Sequence, residues 1–163
     1  MDTNYETVRR IMLAINEIDG IYYYFARHLG INENTSAFLY ALADEKTHSQ
    51  KEISDEWLIP RTTINTIVKN MVADGIVAVG SEQCAKEKAI SLTKKGKEYV
   101  DRLFDDVFAF EEKAIKDTLQ KYSFEFVEAL EYFESRLWEE FNRHIRGKEK
   151  KQFEGCSYNE VQG

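Results

Sequence analysis

From residue 49 to residue 65 the chain reads Ser49-Gln50-Lys51-Glu52-Ile53-Ser54-Asp55-Glu56-Trp57-Leu58-Ile59-Pro60-Arg61-Thr62-Thr63-Ile64-Asn65. Ser49 followed three residues later by Glu52 is a capping box, in which the serine accepts from the N3 amide and the glutamate reaches back to the cap. It predicts a short helix through about Trp57, with Ile53, Trp57 and Leu58 as the buried set. Leu58-Ile59-Pro60 then turns, and proline suits the first turn of a new helix because its missing N–H is not needed there. The next helix is expected over about 61–74. Its apolar positions Ile64, Ile67, Val68 and Met71 form one helical stripe. Asp74-Gly75 stops it, with Gly75 free to take the left-handed C′ conformation.

Two short β-branched or aliphatic runs follow, Ile76-Val77-Ala78-Val79 and Ala89-Ile90-Ser91-Leu92. The polar stretch 80–88 between them makes a hairpin with a long loop. Helix, tight turn, helix, hairpin is the order of a winged helix-turn-helix.

The flanks are helical. Val8, Ile11, Ile15, Ile18, Tyr22, Phe25 and Leu29 recur in steps of three and four, which predicts a first helix over about 4–29. Asn34 or Thr35 is expected to cap a second helix holding Ala37, Phe38, Tyr40, Ala41 and Leu42. Thr93 is expected to cap a long helix over about 94–121, and Ser123 a last one over about 124–146. The fold class is therefore mainly α with a small β-hairpin wing, flanked by long N- and C-terminal helices. Residues 1–146 read as one domain, with a winged-helix lobe over about 35–93 and helical flanks over about 4–30 and 94–146. Residues 147–163 read as a flexible tail.

Charge narrows the function. The 163 residues carry a formal net charge of -7, which excludes a uniformly basic nucleic-acid coat. Residues 46–97, however, hold nine Lys/Arg against six Asp/Glu, a net of +3. The remainder then holds 13 basic and 23 acidic residues, a net of -10. A basic module on an acidic body is the asymmetry expected of a local DNA face. The longest apolar run, the seven residues 37–43, is far too short to span a bilayer. With no signal-peptide stretch at the N-terminus, the expected location is cytoplasmic, with no membrane partner. Cys84 and Cys156 form no CxxC, and His28, His48 and His144 are scattered, so neither a metal nor a cofactor is expected. The sequence has no phosphate loop, GxSxG or HExxH, so no catalytic residue is assigned and the chain does not read as an enzyme.

The chemistry sits on the helix after Pro60. Opposite its apolar stripe lie Arg61, Thr62, Thr63, Asn65, Thr66, Lys69 and Asn70. Short hydrogen-bonding groups with two cations suit the major groove of B-DNA. Arg61 suits guanine or phosphate, Asn65 suits adenine, and Thr62, Thr63 and Thr66 suit phosphates or thymine methyl groups. Ser49 and Gln50 open the preceding helix, whose N-terminal amides also suit phosphate.

His48 to Ile53, Trp57 to Asn65, Met71 to Val77 and Ile90-Ser91-Leu92-Thr93-Lys94-Lys95-Gly96 together resemble the MarR family of bacterial transcriptional regulators. The resemblance extends over the whole chain, because the flanking helices match that family's dimerisation layout. It implies a homodimer on double-stranded DNA at a pseudo-palindromic site, with the helix after Pro60 in the major groove and the wing at the minor groove or backbone. In many members of the family DNA is released when a small molecule or an oxidant binds, which makes a small-molecule effector an expectation here. The family wing carries an aspartate and, two residues on, an arginine; here those positions hold Cys84 and Lys86. Lysine lacks the planar fork that suits a narrow minor groove. The wing is therefore expected to supply phosphate affinity through Lys86 and Lys88.

Three further features bear on function. Tyr22, Tyr23, Tyr24 and Phe25 lie close to the region that holds ligand pockets in the family the chain resembles, and tyrosine hydroxyls in an apolar cleft suit a small aromatic or carboxylate effector. Cys84, close to Lys86 and Lys88, is a candidate redox switch. The acidic body and atypical wing leave a second reading open, that of a winged-helix protein-interaction or scaffold module without a DNA role.

Overall fold

The computed structural model describes residues 3–80 and 89–146. Its helices are α1 (Thr3–His28), α2 (Glu33–Ala41), α3 (Gln50–Glu56), α4 (Arg61–Ala73), α5 (Lys94–Tyr122) and α6 (Glu125–Phe141). Three short strands, β1 (His48–Ser49), β2 (Val77–Val79) and β3 (Ala89–Leu92), form an antiparallel sheet in the order β1-β3-β2. The molecule is thus mainly α with a small sheet, in the order of a winged helix-turn-helix with helical flanks. Residues 81–88, which include Cys84, Lys86 and Lys88, and residues 147–163, which include Cys156, lie outside the described residues.

The predicted capping box forms. The Ser49 hydroxyl accepts from the Glu52 amide at 3.1 Å, and the Ser49 amide donates to the Glu52 carboxylate at 2.6 Å. That carboxyl is held below its ordinary value, chiefly by the Ser49 amide and then by the Ser49 hydroxyl. The turn behind α3 departs from expectation. Leu58 takes a left-handed φ of 51° and is 88% exposed, and Trp57 is 39% exposed. The tight connection needs one residue of reversed handedness, and that residue's side chain swings outward. Ile59 fills the buried place instead, with its carbonyl held by the Ser54 hydroxyl at 2.8 Å.

α4 buries Ile64, Ile67 and Val68, and Met71 packs half-buried against the same core. Gly75 stops it at φ 71°. In β2 and β3, Val77 pairs with Leu92 and Val79 with Ile90. β1 was not legible in the sequence. It is two residues long, and His48 pairs with Ile90 and Ser49 with Ala89. The His48 ring is anchored on the Asp44 carboxylate at 2.9 Å.

Thr93 is a junction. Its hydroxyl donates to Gly75 O at 2.7 Å and accepts from the Gly96 amide at 2.9 Å, while its own amide donates to Ile76 O at 3.0 Å. Gly96 is buried so tightly that an added Cβ would fall 1.9 Å from the Ile76 carbonyl oxygen. No side chain fits there. Two caps also differ from expectation. Asn32, not Asn34 or Thr35, caps α2, with its side chain accepting from the Thr35 amide at 2.9 Å. Ser123 sits at φ 59° ahead of α6, which starts at Glu125 and gives way to a π-helical turn, Asn142–Arg146.

The chain divides into two compact units, Met1–Phe108 and Ala109–Gly163, with the boundary inside α5. The first holds the core: Phe38, Leu39, Leu42, Ile53, Ile59, Ile64, Ile90, Val100, Phe104 and Val107 are all essentially inaccessible. In the second, α6 buries no residue.

Candidate nucleic-acid interface and ligand cavity

The outer face of α4 collects the predicted reading set. Arg61, Thr62, Asn65, Thr66, Lys69 and Asn70 are exposed and Thr63 is half-buried. This follows from helical spacing: with Ile64, Ile67 and Val68 turned into the core, the remaining positions must face out. The Thr66 hydroxyl donates back to the Thr62 carbonyl at 3.1 Å. α4 carries no carboxylate. Neither Arg61 nor Lys69 enters an ion pair among the described residues. Pro60 caps α4 without a side-chain hydrogen bond, and the Thr63 and Ile64 amides turn back to its carbonyl at 2.9 and 3.0 Å. The positive end of the α4 dipole is thus not neutralised by a side chain, which favours an anion there.

α3 differs. Ser49 and Gln50 are half-buried, and the Ser49 hydroxyl and amide are both engaged by Glu52. The Glu52 carboxylate occupies the helix end that a phosphate would need. The predicted site is therefore not uniform: α4 offers unpaired cations, whereas the α3 start carries its own anion. Lys86 and Lys88 lie outside the described residues.

A cavity of about 490 Å³ opens within the first unit, between α1, α2, the end of the α3 turn and α5. Tyr22, Tyr23 and Phe25 line it, as does a set that linear reading did not assemble, including Asp19, Glu33, Tyr40, Trp57 and Phe104. Tyr24 is not among the lining residues. It is 72% exposed and meets Tyr23 edge-on at 5.4 Å. Consecutive residues cannot all share one helix face, since each step turns the chain by about 100°. Tyr40 is the hub of the wall. Its ring lies 5.5 Å from Trp57, 5.7 Å from Phe104, 5.9 Å from Phe108 and 6.4 Å from Tyr22, all tilted or edge-on. Such geometries suit the ring quadrupoles. The one sequence signal that could have found Asp19 is its position three residues before Tyr22, one helical turn away on the same face. Tyr40 and Trp57 come from separate elements and gave no such signal.

Among the described residues no group of three or more His, Cys, Asp or Glu is placed to hold a metal ion. No described helix is long and apolar enough to cross a membrane.

Residues 29–86 match the family model described as MarR family. Similar solved structures include a MarR family regulator from Neisseria meningitidis, 24% identical with a TM-score of 0.65, over 82% of this chain and 97% of that one. The transcriptional regulator BldR from Sulfolobus solfataricus is 17% identical with a TM-score of 0.61, over 83% and 99% of the two chains. NadR in complex with 4-hydroxyphenylacetate is 13% identical with a TM-score of 0.60, over 78% and 88%. No curated protein sequence matches the chain.

Proposed function

We infer, from a winged-helix segment of the MarR family set in a MarR-type fold, that this chain is a sequence-specific regulator of transcription. It binds double-stranded DNA as a homodimer and is released by a small-molecule effector. The observation that carries the DNA reading is the α4 face: two cations without ion-pair partners among the described residues, five hydroxyl or amide side chains, no carboxylate, and a helix start with no side-chain cap. α4 reads the major groove, and a two-fold dimer requires a pseudo-palindromic site with half-sites about one helical turn apart.

Apolar surface supports the dimer. α1 leaves Val8, Met12, Leu13, Ile18 and Ile21 exposed, and α6 leaves Phe126, Leu130, Leu137, Trp138 and Phe141 exposed. Helices this apolar on a water-facing surface mark an interaction surface. The cavity supports the effector, because it lies against α2 and α5 beside the core that holds α4. In NadR a fold of this kind occurs with 4-hydroxyphenylacetate bound. The chain acts by binding and not by catalysis.

The test is a gel-shift titration against duplexes from the gene's own promoter region at several salt concentrations. Affinity should fall steeply with salt as counterions are released. Replacing Arg61 and Lys69 by alanine should weaken binding about 10–100-fold and flatten the salt dependence by about one unit of slope for each phosphate no longer neutralised. A folded double variant with unchanged affinity would sink the DNA reading and leave the scaffold reading in its place.

A further inference from the structure

We propose that the cavity beside Tyr40 selects a small aromatic cation, such as an arylalkylamine protonated at neutral pH, over an aromatic carboxylate. The proposal rests on the reading of this cavity as the effector site and names the chemistry of what enters it.

The charge of the lining carries the argument. Asp19, on α1, and Glu33, the first residue of α2, both line the cavity, and no Lys, Arg or His does. Neither carboxylate enters an ion pair or a hydrogen bond among the described residues. The guanidinium adjoining the lining, Arg27, is committed to Tyr23: it donates to the hydroxyl at 2.9 Å and lies 5.7 Å from the ring centroid. A carboxylate ligand would therefore meet two anions and no cation. An ammonium would meet the reverse.

The walls agree with the mouth. Tyr22, Tyr23, Tyr40, Trp57 and Phe104 line the cavity, with Tyr40 and Trp57 only 5.5 Å apart and tilted by 59°. Aromatic faces attract a cation through their quadrupoles, tryptophan most strongly, and more so where water is thinned. The same surfaces bury the ligand's ring. The volume of about 490 Å³ suits a ligand of one or two rings. The acidic balance of the chain outside residues 46–97, net -10, also raises the local concentration of cations.

The experiment uses three probes of one shape on the full chain: phenethylamine, 2-phenylethanol and phenylacetate, titrated by calorimetry at neutral pH. The amine should bind about tenfold or more tightly than the alcohol, and the carboxylate most weakly. The double variant D19N/E33Q, whose two positions are exposed and outside the core, should lose about tenfold in amine affinity and close the gap between amine and carboxylate. Phenylacetate binding as tightly as the amine, or an amine affinity unmoved in D19N/E33Q, would overturn the proposal. So would failure of all three probes to bind. Release from promoter DNA is scored separately: if the amine binds with the expected selectivity yet leaves DNA affinity unchanged, the selectivity stands and the effector reading falls.

Discussion

α4 and α6 carry the same kind of sequence pattern and meet opposite fates. Both place apolar residues at helical spacing. In α4 the stripe of Ile64, Ile67 and Val68 disappears into the core of the first unit. In α6, Phe126, Leu130, Leu137, Trp138 and Phe141 recur as regularly and stay exposed, with Trp138 stacked on Phe141 at 5.5 Å. Periodicity says that a helix has a face to bury. It does not say whether the partner is in the same chain. The α4 face is small and aliphatic, cut to fit between α2, α3 and β2. The α6 face is large and aromatic, of the composition enriched at the cores of protein interfaces.

That contrast can be broken by mutation. Phe38→Ala, in the core of the first unit, should cost about 3–5 kcal/mol of unfolding free energy, read by denaturant titration at fixed protein concentration. In α6, Leu137→Ala with Trp138→Ala should leave each subunit's secondary structure intact. It should instead weaken self-association by about 2 kcal/mol or more, the scale of an interface hot spot, read by sedimentation equilibrium. If the α6 pair lowered subunit stability as much as Phe38→Ala, its face would be internal packing and the contrast would fail. The smallest effect concerns the strand that the sequence hid. Asp44 is held below the ordinary carboxylate value, first by the His48 ring and then by the Lys46 amide. A lowered folded-state pKa contributes stability above the unfolded value and loses it as pH falls through the folded one. Thermal unfolding should therefore show a small extra loss in the acid range, absent in Asp44→Asn. The carboxylate is partly exposed, so screening keeps the effect modest.

The features legible in the sequence were the local ones. The Ser49–Glu52 box, the Gly75 stop, the Thr93 cap and the exposed face of α4 each depend on residues within a turn of one another, and each formed. Those that escaped depend on distance or on competing geometry. β1 exists only because His48 and Ser49 find Ile90 and Ala89 some forty residues on. Leu58 looked like core until a left-handed turn sent it outward and Ile59 took its place. Of the four aromatic residues at 22–25, three face the cavity and Tyr24 does not. The acids that set the cavity's charge, Asp19 and Glu33, belong to different helices and become neighbours of one space only through folding.

The junction at Thr93 and Gly96 has a mechanical consequence. The Gly96 backbone rests directly on the Ile76 carbonyl with no side chain as a cushion, and one threonine hydroxyl ties both to the end of α4. Eight residues along α5, about 12 Å at helical rise, Phe104 forms part of the cavity wall. A stiff rod joins the two places. A displacement of Phe104 along the axis of α5 would press on the carbonyl of Ile76, beside the end of α4 and the root of the hairpin. Slack, which most helix–strand contacts absorb through a deformable side chain, is missing from this linkage.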